Sequence, residues 1–169
     1  MHTSPSIQLL SQLTPEHIAG LSGMMQDVVE DGASIGFLPP LSREEAEQYW
    51  RSVPEPGVFL WAAVWNGRIV GTVQLQLAMK KNAAHRAEIA KLMVHPSARR
   101  HGIARSLMHT AHEQAKQESR SLLLLDTRAG DPSNELYKTL GYTEAGRIPG
   151  FARSSEGGFD ATIIYYLNL

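Results

Sequence analysis

The order of strand and helix signals in the chain predicts a mixed α/β or α+β fold built around a sheet. Three observations carry that expectation. Two β-rich runs, 58–65 and 68–79, are joined by Asn66-Gly67, the strongest short hairpin signal present. Further strand signals then alternate with helix signals. Finally, an alternating apolar run, 87–94, passes through a sharp glycine-bearing turn into 103–119, which has an amphipathic helical pattern. A length of 169 residues suits one domain with one substantial core, so a single domain over 1–169 is expected.

Each element has its own justification. Residues 7–13 read as a short first strand. Thr14-Pro15-Glu16 supply a helix start, with Thr14 as N-cap and proline at the first helical position; the helix should run to about Glu30 and stop before Gly32. Residues 31–40, rich in Gly and Pro, form a loop. Ser42-Arg43-Glu44-Glu45 opens a second helix, with Ser42 and Glu45 spaced as a capping box. The hairpin follows, then a strand over 85–94, the turn, and the helix beginning at Ile103. Residues 122–125 are all leucine, as expected of a strand covered on both faces. Residues 132–140 read as a helix closing at Gly141, and two last strands are expected at about 142–148 and 161–167. No internal repeat, low-complexity tract or linker interrupts this order.

Composition narrows the function classes. A hydrophobic content of 43% with 20% charged residues is ordinary for a soluble globular protein. The net charge of -1 gives no reason to expect bulk binding of nucleic acid or an anionic membrane. With no cysteine, disulfides and a thiol nucleophile are excluded. Residues 1–13 lack a basic stretch followed by an apolar run, and no apolar stretch approaches the ~20 residues of a membrane span. A cytoplasmic protein is the default expectation.

The segment Val94-His95-Pro96-Ser97-Ala98-Arg99-Arg100-His101-Gly102-Ile103-Ala104 is the most informative in the chain. Backbone N–H groups in a helix's first turn lack intrahelical partners, and the helix dipole adds partial positive charge there. Such a turn is suited to a pyrophosphate, which Gly102 would let approach the backbone. A P-loop would need Gly-x-x-x-x-Gly-Lys-Ser/Thr and a dinucleotide fold Gly-x-Gly-x-x-Gly after a strand; the sequence has neither. An ordinary basic loop capping a surface helix is the bland alternative.

The spacing Arg99-x-x-Gly102-x-Ala104 resembles the Gln/Arg-x-x-Gly-x-Gly/Ala signature of GNAT-type N-acetyltransferases, and the element order matches that fold from end to end. The resemblance implies a mixed, mostly antiparallel central sheet of about six to seven strands flanked by helices. It also implies transfer of acetyl from acetyl-coenzyme A to an amine, without a metal. Arg99, Arg100, His101, Gly102, Ile103 and Ala104 would surround the pyrophosphate, while Leu92, Met93 and Val94 would offer backbone groups to the pantetheine arm and acetyl oxygen. Residues 31–37, 87–108 and 125–130, with Ile148-Pro149-Gly150, are similar to the tabtoxin-resistance acetyltransferases, which act on a β-lactam amino-acid toxin.

Acetyl transfer to an amine needs a proton acceptor, a donor to the developing oxyanion and a proton source for the departing thiolate. Glu88 stands where histone-type GNAT enzymes carry a glutamate base; alternation would put Glu88, Ala90, Leu92 and Val94 on one face. A salt bridge from Glu88 to Arg86, Lys91 or another cation is the alternative. Asp126, expected directly after the leucine strand, lies where ligands gather in α/β sheets, or else serves as a loop-ordering aspartate. Tyr137, in Leu136-Tyr137-Lys138-Thr139-Leu140-Gly141-Tyr142, resembles the family tyrosine that protonates the leaving sulfur; a core tyrosine is the alternative. Where the family often has an asparagine ahead of this tyrosine, the chain has Gly130, so that side-chain contact to the pantetheine arm is missing.

Ser34 and Phe37 lie in the loop where the family shapes its acceptor pocket, and Trp50, Trp61, Tyr142 and Phe151 are further candidates for its wall or for the core. At about 100° per residue, His109 and His112 should point away from the buried stripe of the Ile103 helix as solvated residues. His95 and His101 flank the turn, with no direction fixed. The reading is therefore an N-acetyltransferase for a small-molecule amine, amino-acid-like or a toxin or antibiotic. Alternatives are acetylation of a protein or peptide amine, or a non-catalytic acyl-coenzyme A sensor. A homodimer is compatible with the chain, and the acceptor and acyl-chain preference are not legible.

Overall fold

A computed structural model describes residues 4–169, so the first residues of the stretch read for a leader lie outside it. Along the described chain run β1 (Ser6–Leu9), α1 (Pro15–Glu30), α2 (Arg43–Ser52), β2 (Val58–Trp65), β3 (Arg68–Leu77), β4 (Arg86–Val94), α3 (Ile103–Gln117), β5 (Leu122–Arg128), α4 (Ser133–Thr139), β6 (Thr143–Arg153) and β7 (Phe159–Asn168). The strands form a seven-stranded sheet in the order β1-β2-β3-β4-β5-β7-β6. Its paired neighbours are antiparallel except β4 and β5, which are joined by α3 as a parallel pair requires. This is the mixed, mostly antiparallel sheet flanked by helices that was expected.

Local chemistry explains the boundaries. Asn66 and Gly67 both have positive φ (51° and 74°), the conformation of a tight primed turn, and close β2 onto β3. The Thr14 hydroxyl accepts from the His17 N–H at 3.2 Å while His17 Nδ1 accepts from the Thr14 N–H, so α1 starts on a capping box with histidine in the usual Glu place. Ser42 and Glu45 form the expected box at α2.

Alternation along β2 divides the core between the two faces of the sheet. Trp61 and Ala63 pack with Leu107, Met108 and Ala111 of α3 and Tyr137 of α4; Leu60 and Ala62 pack with Leu21, Met25 and Val28 of α1 and Trp50 of α2. Each large side chain buried here contributes roughly 1.5–3 kcal/mol.

Two features of β4 set the shape of the sheet at its centre. Its parallel pairing with β5 runs from Arg86 opposite Leu122 to Glu88 opposite Leu124 and ends there, so the two strands part and the sheet opens between them. Further along, the β3–β4 register shifts between Thr72 and Gln74: Thr72 faces Met93 and Gln74 faces Ala90, leaving Lys91 and Leu92 opposite the single residue Val73. This is a β-bulge, with Lys91 at φ 51° and its carbonyl held by the Thr72 hydroxyl at 3.0 Å.

The bulge corrects the expected face of β4. Ala87 and Ile89 point to the α3 side; beyond the bulge it is Leu92 and Val94 that pack on that side, and Met93 that joins the α1–α2 core. Glu88 therefore does not share a face with Leu92 and Val94, because an extra residue reverses the alternation. Other boundaries moved too. β1 ends at Leu9, where its ladder with β2 ends, and Leu10 turns into the α1–α2 core. β5 does not stop at Leu125: β7 pairs with it through Arg128 opposite Thr162, so Asp126 lies inside the strand and not after it. Leu123 and Leu125 are buried, while Leu122 and Leu124 are only half-buried. β6 continues through Pro149 and Gly150 because it is an edge strand with an irregular register after Ile148, where proline's missing N–H costs nothing.

Candidate functional site

A cleft of about 960 Å³ lies where β4 and β5 part. Leu92, Met93 and Val94 and the start of α3 line one side, Asp126, Thr127 and Arg128 with Tyr137 of α4 the other, and residues 31–36 a third. Beyond Glu88 the β5-facing edge of β4 has no strand beside it, so its backbone is open to this space.

At one end of the cleft is the first turn of α3. Gly102 is its N-cap, in the left-handed conformation at φ 74°, and no side chain caps the turn. A Cβ on Gly102 would meet nothing within 4 Å, so the space above the turn is clear. Unpartnered first-turn N–H groups beside an open, cation-flanked space fit a pyrophosphate. Arg99, Arg100, Gly102, Ile103 and Ala104 all line the cleft. His101 does not: its ring meets Trp65 edge-on, with centroids 4.7 Å apart, and Nδ1 lies 2.8 Å from the Arg99 carbonyl. His95 also faces elsewhere, bonding Ser97 Oγ at 2.7 Å and Asp27 at 3.1 Å.

Glu88 and Asp126 are brought together. Glu88 is opposite Leu124, so Glu88, Leu124 and Asp126 share the face of the sheet that carries α1 and α2. Glu88 makes no salt bridge to Arg86 or Lys91 among the described residues. Its side chain opens onto the cleft and is accessible, yet the walls shed enough water to raise its pKa above the ordinary carboxylate value; the charge of Asp126 adds to the rise, and Lys91 and Arg86 oppose it. Asp126 Oδ2 is held by the Thr162 hydroxyl at 2.9 Å.

Tyr137 faces the cleft from the α3–α4 side and is otherwise buried, its ring packed on Tyr142 and Tyr165. Burial first, then the charges of Asp126 and Asp131, push its phenol well above the usual tyrosine range, so it is protonated at neutral pH. Thus a proton-carrying phenol reaches the gap from the α3–α4 face of the sheet and two carboxylates from the α1–α2 face.

The loop between α1 and α2 closes the remaining side. Ser34 lines the cleft, while Phe37 does not; its ring packs edge-on against Tyr49 at 5.3 Å. Two arginines pin the loop from opposite banks: Arg99 to Asp31 at 2.7 Å, and Arg128 to the Gly32 carbonyl at 3.0 Å while it also holds Asp131 at 2.9 Å. Of the four aromatic wall candidates only Phe151 lines the cleft; Trp50, Trp61 and Tyr142 are core.

His112 is a clear correction. It is buried at 7% exposure with Nε2 2.9 Å from the Tyr142 hydroxyl, whereas His109 is exposed as expected. The helix edge that would face water is covered by Tyr142, which the helical period of α3 alone cannot reveal. Thr162 and Arg128 were missed because their partners, Asp126 and the Gly32 carbonyl, come from distant segments, and Asp131 enters the site through Arg128. Lys91 carried a usable signal, a cation in the middle of an apolar strand.

Comparison with known proteins agrees with this geometry. Residues 24–142 match the family model described as the acetyltransferase (GNAT) family. The chain is 31% identical over 129 residues to an uncharacterized N-acetyltransferase in the hisH-hisA intergenic region of Azospirillum brasilense, covering 75% of this chain and 77% of that one. Among solved structures, an N-acetyltransferase from Staphylococcus aureus Mu50 superposes with a TM-score of 0.83 at 16% identity, covering 98% of this chain and 99% of the other. The ribosomal-protein-alanine N-acetyltransferase of Brucella melitensis gives 0.81 at 21% identity, over 97% and 99%. The protein yncA of Salmonella typhimurium, solved with its cofactor acetyl-CoA, gives 0.80 at 15% identity, over 99% and 95%. At these identities the structural matches speak for the fold.

Proposed function

The chain belongs to the acetyltransferase (GNAT) family, and from that premise we propose that it transfers an acetyl group from acetyl-coenzyme A to the amine of a small molecule. The observation that carries this reading is the meeting, in one cleft, of the uncapped α3 turn at Gly102, the Glu88–Asp126 pair and the Tyr137 phenol. The family's co-substrate supplies an acetyl group activated as a thioester. The α3 turn, with Arg99 and Arg100 beside it, binds the pyrophosphate, and the open edge of β4 at Leu92, Met93 and Val94 holds the arm leading to the thioester.

The chain's own groups then manage protons. Glu88, whose carboxylate has no hydrogen-bond partner among the described residues and whose pKa is raised, takes the proton that the acceptor ammonium must lose. Asp126, fixed by Thr162, holds that ammonium in place. Tyr137 gives its Oη proton to the departing sulfur. The raised pKa keeps Tyr137 protonated before the step, so its hydroxyl is available to donate to the sulfur as negative charge builds there.

A loop pinned at Asp31 and Gly32 makes a closed wall, which supports a small acceptor more than a protein tail. The resemblance of residues 31–37 to the tabtoxin-resistance enzymes makes toxin- or antibiotic-like amines a first group to try. The test is incubation with acetyl-coenzyme A and separate sets of small amines, an alanine-ended peptide and a lysine peptide, reading thiol release and acetylated product by mass. Acetylated small amines are expected. Turnover of peptides alone would replace the small-molecule reading, and tight cofactor binding without turnover of any amine would leave a sensor.

A further inference from the structure

We infer that Lys91 reads an anionic group, a carboxylate, borne by the acceptor beside the amine that is acetylated; this rests on reading the cleft as an amine-acetylating site. The observation behind it is a half-buried cation aimed into the cleft and left without a polar partner. Lys91 lies on the cleft lining, and its ammonium enters no hydrogen bond or salt bridge among the described residues. An ammonium carries three donors, and removing it partly from water without satisfying them is unfavourable. Of the other cations around the cleft, Arg99 meets Asp31, Arg128 meets Asp131 and the Gly32 carbonyl, and Arg105 meets Thr139; Arg100 makes no such contact among the described residues but stands beside the α3 turn, at the pyrophosphate end.

The side chain is held in this position by specific packing. Lys91 occupies the bulge at φ 51°, a left-handed conformation that is unfavourable for a side-chain-bearing residue and cheaper for glycine or asparagine. Its Nζ stands 5.8 Å from the centroid of the Tyr49 ring, a cation–π contact. Tyr49 is itself fixed, its hydroxyl receiving a hydrogen bond from the buried Gln74 at 2.9 Å, and Gln74 in turn receives one from Gln76 at 3.0 Å. On the loop side, Nζ lies 3.6 Å from where a Cβ on Gly36 would sit, so the ammonium rests beside Gly36. The result is a rigid cation on the α1–α2 face, away from the α3 turn that serves the pyrophosphate.

Charge complementarity then defines the ligand. The same face presents Glu88 and Asp126, whose charges favour the protonated form of Lys91 against the opposing effect of burial, yet neither pairs with it. An acceptor with an ammonium and a carboxylate matches both halves: its ammonium meets Glu88 and Asp126, and its carboxylate meets Lys91. A lysine that merely balanced the two acids would need no Tyr49 platform and would be expected to contact one of them directly.

The experiment compares matched acceptor pairs, methionine with 3-(methylthio)propylamine and phenylalanine with phenethylamine, in the wild type, Lys91→Met and Lys91→Arg. Thiol release should show the wild type preferring the carboxylate-bearing member by roughly ten- to hundredfold in kcat/KM, mostly through KM. The preference should collapse to about one in Lys91→Met and survive in Lys91→Arg. No preference in the wild type, or a preference that persists in Lys91→Met, would overturn the assignment. An equal loss on both members would also do so, making Lys91 a balance for Glu88 and Asp126. If the folded wild type released thiol with no amine at all, the acetyl-transfer reading would fail separately. Calorimetric titration of the same pairs into protein saturated with coenzyme A would then decide for Lys91: carboxylate-selective binding that disappears in Lys91→Met supports it, and its absence removes it.

Discussion

At the scale of single residues, the chemistry depends on which carboxylate receives the proton. Glu88 must be ionised to act as a base, and its raised pKa means that activity falls as pH drops through a value above the ordinary carboxylate range. Because the charge of Asp126 contributes to that rise, Asp126→Asn should move the acid limb of kcat/KM to lower pH, while Glu88→Gln should abolish the limb and cost on the order of 10²–10⁴ in rate with cofactor affinity retained. A limb that survives in Glu88→Gln would assign the base to Asp126. Both acids were legible as residues; their arrangement was legible only in part. Period-two reasoning placed Glu88 with Leu92 and Val94, and a single extra residue at Lys91 undid that placement. Nothing in the local sequence announces the bulge, since Lys91 is neither glycine nor asparagine.

Elements were read more securely, because each carries its own signal. Asn66-Gly67 specifies its turn by conformation, Ser42 and Glu45 mark a helix start by reciprocal hydrogen bonds, and the stripe from Ile103 to Ala115 faces the core as its spacing requires. Strand ends were harder. β5 outruns its leucines because β7 supplies partners for Asp126, Thr127 and Arg128, and a partner from 34 to 38 residues away leaves no local mark. For the α3 turn the expected behaviour is specific. Gly102→Ala adds a Cβ into clear space but forces a left-handed alanine, at roughly 1 kcal/mol in stability. Gly102→Glu adds the same strain plus a negative charge at the anion site. Titration calorimetry should show Gly102→Ala still binding acetyl-coenzyme A and Gly102→Glu not binding it. Equal affinities in the two variants would mean that the pyrophosphate does not sit on this turn.

At the scale of the whole molecule, the parting of β4 and β5 gives one cleft access to both faces of the sheet, with Tyr137 reached from the α3–α4 side and Glu88 and Asp126 from the α1–α2 side. The element order implied such a sheet, but the cleft emerges only from where pairing stops. The same long-range assembly buries His112, whose ring is bonded to Tyr142 at the start of the β6–β7 hairpin and so ties α3 to that end of the sheet. Burial is the main reason that its pKa falls to about 4; His109 and Lys116 add to the fall, and Glu113 opposes it. In the unfolded chain the imidazole titrates near its ordinary value of 6.5. Between these values the unfolded state binds a proton that the folded state refuses, so the stabilisation is complete above about pH 6.5 and is lost as pH falls towards 4. The whole interval corresponds to on the order of 3 kcal/mol. His112→Gln keeps a partner for the Tyr142 hydroxyl and cannot titrate. Urea unfolding of both proteins from pH 7.5 to 4.5 should therefore give a difference in stability that is flat at the alkaline end and moves in favour of His112→Gln as the solution is acidified. Two parallel curves would mean that His112 accepts its proton in the folded protein, and that its bond to Tyr142 opens at no measurable cost.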